Sequence, residues 1–194
     1  MVHISLKNTK MGRIPSFAMT PGATCSDCAK ETCYKQGCYA AKLYRFRPSV
    51  KRAWDENAQI AVSNLPAFKT FMNAYFDSIA APRYFRVHVS GDFFSKEYAE
   101  TWAEIAATHP HTNFLAFTKQ WESIRGVDFP PNFSLVLSAW PGTEVPADLR
   151  EKYRVAWMDD GKTEIPTDAH RCSGQCDACG DCWHLKCDVV FDKH

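Results

Sequence analysis

The sequence predicts an α/β protein whose mostly parallel sheet curves into a partial βα barrel, with cysteine-rich loops toward both ends of the chain. Three observations predict it. Short apolar runs alternate with helical periodicities through the middle of the chain, polar residues collect just after those runs, and the nine cysteines avoid the middle altogether. At 194 residues the chain is long enough for a real core and short enough for one domain. No internal repeat or low-complexity linker divides residues 1–194, with the cysteine-rich stretch 170–188 forming the C-terminal part of that one unit.

Residues 1–24 read as an irregular or extended entry, punctuated by Pro15 and by the turn signal Thr20-Pro21-Gly22. From about 49 to 62, Val50, Trp54, Ala58, Ala61 and Val62 recur at helical spacing. Ser63 and Asn64 ahead of Pro66 start a second helix, expected to reach Ile79 and to bury Phe68, Phe71, Met72, Tyr75 and Phe76. Buried strands are predicted at 84–89, 113–117 and 134–138, with a weaker fourth at 153–157. Between the first two lies a helix over 95–108, capped by Ser95, with Tyr98, Trp102, Ile105 and Ala106 on its apolar face. The connection from 119 to 132 has room for about one helical turn.

A parallel sheet does its work at the C-terminal ends of its strands. Those ends carry His88, Ser90, Gly91 and Asp92, then Thr118 and Lys119, then Ser138 and Trp140, then Asp159 and Asp160. His88 and Ser90, two residues apart, are expected on one side of their strand. His88, Ser90, Asp92 and Lys119 therefore form a candidate cofactor-binding pocket. Each also has a plainer reading: a hydrogen-bonded core histidine, a turn with its cap, and a surface cation.

The cysteines carry the chemistry. Four stand at Cys25, Cys28, Cys33 and Cys38, and five at Cys172, Cys176, Cys179, Cys182 and Cys187, with none between 39 and 171. Residues 1–10 lack the apolar stretch of a secretion signal, so the expected location is the reducing cytoplasm, where such clustering reads as metal binding rather than as disulfides. Structural zinc favours two short cysteine pairs far apart in sequence. Here Cys172, Cys176, Cys179 and Cys182 crowd into one loop, the last three at successive two-residue gaps, as ferredoxin-type loops do around a cubane. The expectation is one [4Fe–4S] cluster on these four thiolates, with zinc as the alternative metal and Trp183 and Trp157 shielding the site. Cys25, Cys28, Cys33 and Cys38 form a second tier: a second metal site, a remote ligand, or free thiols. Cys187 reads as the spare.

Charge narrows the partners. Lys plus Arg number 23 against 22 for Asp plus Glu, a net of +1, so bulk charge does not draw this chain to polyanions. No apolar run approaches the roughly 20 residues that span a bilayer, and no membrane partner is expected. The segment from Lys42 to Arg52 interleaves cations with Tyr44 and Phe46, a pattern that suits nucleic acid. The favoured reading is a solvated helix approach whose aromatic stems pack inward.

Taken together, Cys38-Tyr39-Ala40, His88-Val89-Ser90-Gly91-Asp92-Phe93, Phe117-Thr118-Lys119 and the terminal Cys176-x2-Cys179-x2-Cys182-Trp183 resemble the gene product 88 family of bacteriophage and bacterial proteins. The resemblance runs from about Thr20 to Trp183 and implies a phage-type protein, hence a host-cell cytoplasmic one. More distantly, the order of elements is similar to the truncated barrel of radical S-adenosylmethionine proteins, with Cys33-x4-Cys38-Tyr39 at their early cluster position and Ser90-Gly91-Asp92 at the strand end that meets the nucleotide's methionine. Cys172-x3-Cys176-x2-Cys179 matches their ligand spacing, but Cys182 stands ready to close the iron they leave open. S-adenosylmethionine is therefore not expected. The leading expectation is an iron–sulfur protein with an electron-transfer or redox-sensing role, its redox partner unnamed by the sequence. A radical S-adenosylmethionine-like enzyme and a zinc-stabilised nucleic-acid-binding module are the alternatives.

Overall fold

Prolines and side-chain caps set the helical part. Pro48 opens a helix directly after an eight-residue one, because its fixed φ suits a first helical turn and its missing N–H is not needed there. The computed structural model, which describes residues 2–25, 27, 30–35, 37–78 and 81–192, accordingly places α1 at Tyr39–Phe46 and α2 at Pro48–Ser63. The Asn64 side chain then accepts from the Ala67 amide at 3.0 Å and starts α3, Leu65–Phe76. Ser95 does the same for α4, Lys96–Thr108, accepting from the Tyr98 amide at 3.2 Å.

Six strands follow among the described residues: β1 (Tyr84–Val87), β2 (Asn113–Thr118), β3 (Phe133–Ala139), β4 (Arg154–Asp159), β5 (His170–Arg171) and β6 (Val189–Asp192). All pair in parallel, in the order β1-β2-β3-β4-β6-β5, and curl into a half-barrel. Single turns α5 (Trp121–Ile124) and α6 (Ala147–Arg150) cross between strands, and α7 (Cys176–Cys179) lies between β5 and β6.

The sheet has two unlike faces. Phe85, Val87, Phe114, Ala116 and Leu135 pack outward against Phe68, Met72, Phe76, Tyr98 and Trp102 of α3 and α4, all of them buried. At about 25 cal/mol per Å² of apolar area, several buried aromatic side chains at a few kcal/mol each make this layer the main source of stability. The concave face carries Leu115, Val136 and Ala156, closed by Met11 and Ile14 from the entry segment and Trp183 from the C-terminal loop.

Several expectations need correction. The first strand stops at Val87 rather than Val89, because His88 takes a left-handed backbone with φ 59, so the strand alternation expected to align His88 with Ser90 does not extend that far. Phe71, expected in the core, is 45% exposed, while its neighbours Phe68 and Met72 are buried. Ile79 lies outside the described residues. The short strands β5 and β6 are found only by pairing: β6 joins β4 through Ala156↔Val189 to Asp159↔Asp192, and β5 then adds at the edge. No described helix is long and apolar enough to cross a membrane.

Candidate metal centre on the concave face

A charged residue in a buried strand needs a reason. β1 reads Tyr84-Phe85-Arg86-Val87, and alternation turns Arg86 to the concave face, where its guanidinium lies 4.1 Å from the centre of the Phe117 ring. Register aligns Arg86 with Leu115 and Val136 with Arg154, so two arginines stand on one concave surface. The C-terminal cysteines cover it. Cys176 and Cys182 pack with Trp183 against Leu115, Val136 and Ala156.

Backbone groups hold this cover down. Ser134 Oγ donates to the Trp183 carbonyl at 2.9 Å, one Arg154 nitrogen donates to the Cys182 carbonyl at 2.8 Å, and the Cys176 amide donates to the Lys10 carbonyl at 2.9 Å. The entry segment passes so close that a Cβ at Gly12 would stand 1.7 Å from an Asp177 carboxylate oxygen and 2.7 Å from its Cβ, and Gly12 has φ +58. Only glycine suits that approach.

The thiols share one electrostatic neighbourhood. Burial pushes the Cys182 thiol up to about 11, opposed by Arg86 and Arg154 and reinforced by Cys172 and Cys176. Burial also raises Cys176, opposed by Arg86 and Lys10, with Cys172 and Cys179 adding to the rise. Burial holds Arg86 below the usual arginine range, and the groups acting against that are the Tyr39 phenol and the thiols of Cys176, Cys182 and Cys172. Among the described residues, no carboxylate forms an ion pair with Arg86.

Three donors here are sealed from solvent with no acceptor among the described residues: Arg86 Nε, Arg154 Nη1 and Trp183 Nε1. Buried donors are almost always paired. Unpaired ones beside four free thiols fit a missing anionic, sulfur-rich group, because hydrogen bonds and cations near thiolate sulfur stabilise such a centre. Among the described residues, no three His, Cys, Asp or Glu side chains are gathered so as to hold a metal ion. Gly174 and Gly180, each with positive φ and open space around it, give the loop room to tighten.

Sequence reasoning passed over Arg86, Arg154 and Lys10, although a cation inside the apolar run 84–89 was the available signal. It also set Cys187 aside, whereas the Cys187 thiol acts on Arg154 together with Cys182. Trp157 turns to the opposite face, packing against the helix-side core and donating to Asp188 at 2.8 Å. Trp183 alone of the two tryptophans packs with the cysteines.

The strand-end set comes together only in part. Asp92, buried, accepts from Thr118 Oγ1 at 2.6 Å and from the amides of Lys119 and Phe93, each at 2.8 Å; burial raises its carboxyl above the usual range against those bonds. Lys119 Nζ turns away to Ser138 Oγ at 2.9 Å and toward the Trp140 ring, so its ammonium does not pair with Asp92. His88 Nε2 lies 2.9 Å from the Tyr98 hydroxyl, on the helix side, and burial with Arg86 nearby depresses it to about 3. Its Nδ1 and Ser90 Oγ have no hydrogen-bond partner among the described residues. Two shallow surface hollows, one around Lys7 to Arg13 and one around Pro21 and Tyr34, contain none of the four.

The N-terminal cysteines meet the end of β1. Burial raises Cys25 to about 11, helped by Asp92, Cys33 and Cys38, while the Gly22 amide donates to its sulfur at 3.3 Å. Cys28 lies outside the described residues. The Tyr39 hydroxyl donates to the Val89 carbonyl, and its phenol feels both Arg86 and the thiols of Cys38 and Cys33. Arg86 and Tyr39 thus link the two cysteine groups.

Fold and site together define an all-parallel α/β half-barrel with a thiol-rich segment folded over its concave face. The family model for gene product 88 matches residues 3–185, and the chain belongs to that family. It is 29% identical over 199 residues to the gene 88 protein of Mycobacterium phage L5, covering 88% of this chain and 82% of that one. Over 200 residues it is likewise 29% identical to the gene 88 protein of Mycobacterium phage D29, with the same coverage. Those names state no reaction, ligand or partner. No solved structure matches the chain.

Proposed function

We propose that this phage-type protein carries a metal–thiolate centre on its concave face, an iron–sulfur cluster held by Cys172, Cys176, Cys179 and Cys182. The observation that carries the reading is the trio of sealed donors without an acceptor among the described residues, Arg86 Nε, Arg154 Nη1 and Trp183 Nε1, around free thiols. Four thiolates bring negative charge that two partly buried arginines otherwise lack. Ligand spacing favours iron and sulfide over zinc. Such a cluster, when bound, takes up and gives back single electrons, which suits electron transfer or redox sensing. The chain's own part is to cover Cys176 and Cys182 with Trp183 and to set the potential through Arg86 and Arg154.

Metal and sulfide content of anaerobically purified protein tests this. About four irons and four sulfides per chain are expected, falling to a small fraction in Cys179→Ala. Zinc without sulfide overturns the iron assignment, and full iron retained in Cys179→Ala overturns the ligand set.

A further inference from the structure

The basic segment was expected to pack its aromatic stems inward. Tyr44 does so, stacking on Trp54 and donating to Asp55. Its neighbours do not. Tyr39, Leu43 and Phe46 are 53%, 43% and 66% exposed, and their spacing of four and three residues puts them on one face of α1. Ala40, off that face, is buried. A helix this short with Leu43 and Phe46 in water, beside the ring of Tyr39 whose hydroxyl is tied to the Val89 carbonyl, has a face built for contact.

Charge says what kind. Residues 32–54 hold six cations and no acid, in a chain whose net charge is only +1. The rest of the chain is therefore net acidic, and positive charge is concentrated beside the exposed rings. Lys42, Arg45, Arg47 and Arg52 are exposed, and none forms an ion pair among the described residues. Lys51 is the exception, bonded to Asp55 at 2.8 Å. Cations alone suit any polyanion. The exposed Phe46 ring, flanked by Arg45 and Arg47, suits one whose bases are free to stack, and in a duplex those base faces are hidden. An anionic membrane is the poorer fit, because surface-seeking helices lay a long apolar face into the lipid and α1 has only two turns.

We propose that α1 and the start of α2 form a binding surface for single-stranded nucleic acid, with Phe46 stacking on a base and Arg45, Arg47 and Arg52 reaching phosphates. The surface does not depend on the metal centre, so it stands or falls separately.

Fluorescence anisotropy with a labelled mixed-sequence 20-nucleotide strand, as DNA and as RNA, tests it on the full chain. Binding should weaken steeply with salt, with a slope set by the few phosphates neutralised. Phe46→Ala should cost roughly tenfold in affinity, since stacking is worth about 1–3 kcal/mol per base. The double variant Arg45→Glu/Arg47→Glu should lose more and flatten the salt dependence, whereas Lys152→Glu, in the turn before β4, should leave binding unchanged. Both surface positions are exposed, and an unshifted thermal melt checks that the variants fold. No binding of either strand at low salt, binding that survives both variants, equal binding to duplex, or capture only by anionic vesicles each overturns the proposal.

Discussion

The helix-side face of the sheet is a continuous aromatic layer; the concave face sets arginines and thiols among its apolar groups. On the first, Phe17, Phe68, Phe85, Trp102 and Phe114 interlock, with ring centres 5.4 to 6.4 Å apart. On the second, arginines and thiols share the surface with Leu115, Val136, Phe117 and Trp183, and among the described residues the unanswered donors include charged ones, Arg86 Nε and Arg154 Nη1, where the helix side leaves neutral groups such as Trp102 Nε1. A polypeptide whose stability comes from one face is free to keep charge on the other, where a ligand can complete it. Substitutions on the two faces should therefore fail in different ways.

The largest effect should come from the helix-side face. Trp102→Ala removes a fully buried ring from the centre of the aromatic layer and should cost about 3–5 kcal/mol by chemical denaturation, with or without bound metal. A loss below about 1 kcal/mol would break the claim that this face carries the fold.

The seam between β4 and β6 comes next. Asp188, just before β6, is buried and accepts from the Val155 amide at 2.9 Å and from Trp157 Nε1 at 2.8 Å, and its carboxylate pairs with Arg150 at 2.7 Å. Asp188→Ala strands two donors in the seam and should cost about 2–3 kcal/mol, discounted because Arg150 is largely solvated. It should also loosen the thiol segment that β6 terminates, measured as faster alkylation of Cys182.

Acid should attack the helix-side face through His88. Folded His88 stays neutral down to about 3, whereas an unfolded histidine protonates near 6.5, so below pH 6.5 the unfolded chain binds the extra proton. Stability from this group is full above about 6.5 and drains as pH falls, by about 2 kcal/mol near pH 5. His88→Gln should flatten that part of the stability profile; an unchanged slope would show that His88 is not responsible.

Sequence reached much of this, unevenly. Helices with an apolar stripe and a cap, such as α4 after Ser95, were legible because periodicity and capping are local. The four central strands were legible as apolar runs. β5 and β6 were not, because His170–Arg171 has no strand pattern of its own and exists by pairing with Val189 and Val190. The cysteine grouping was visible in the sequence, but the concave arginines were not: they meet the thiols only once the sheet turns residues 86 and 154 the same way. His88 and Ser90 misled for the opposite reason, since local alternation was assumed to continue through a residue that the fold holds at φ 59.

The smallest change in stability should be the most telling. Replacing a partly buried, unpaired cation by an apolar chain of similar length removes desolvation cost along with the charge, and such replacements are often neutral or stabilising. Arg86→Met should therefore shift the stability of metal-free protein by no more than about 1 kcal/mol, in either direction. In reconstituted protein the same variant should lower iron and sulfide content several-fold, because the thiolates lose their nearest counter-charge. Equal stability with lost cluster would separate the two faces cleanly: one maintains the fold, the other waits for a ligand. A large loss of stability in metal-free Arg86→Met, with cluster content unchanged, would make Arg86 a structural residue and remove the main support for the metal centre.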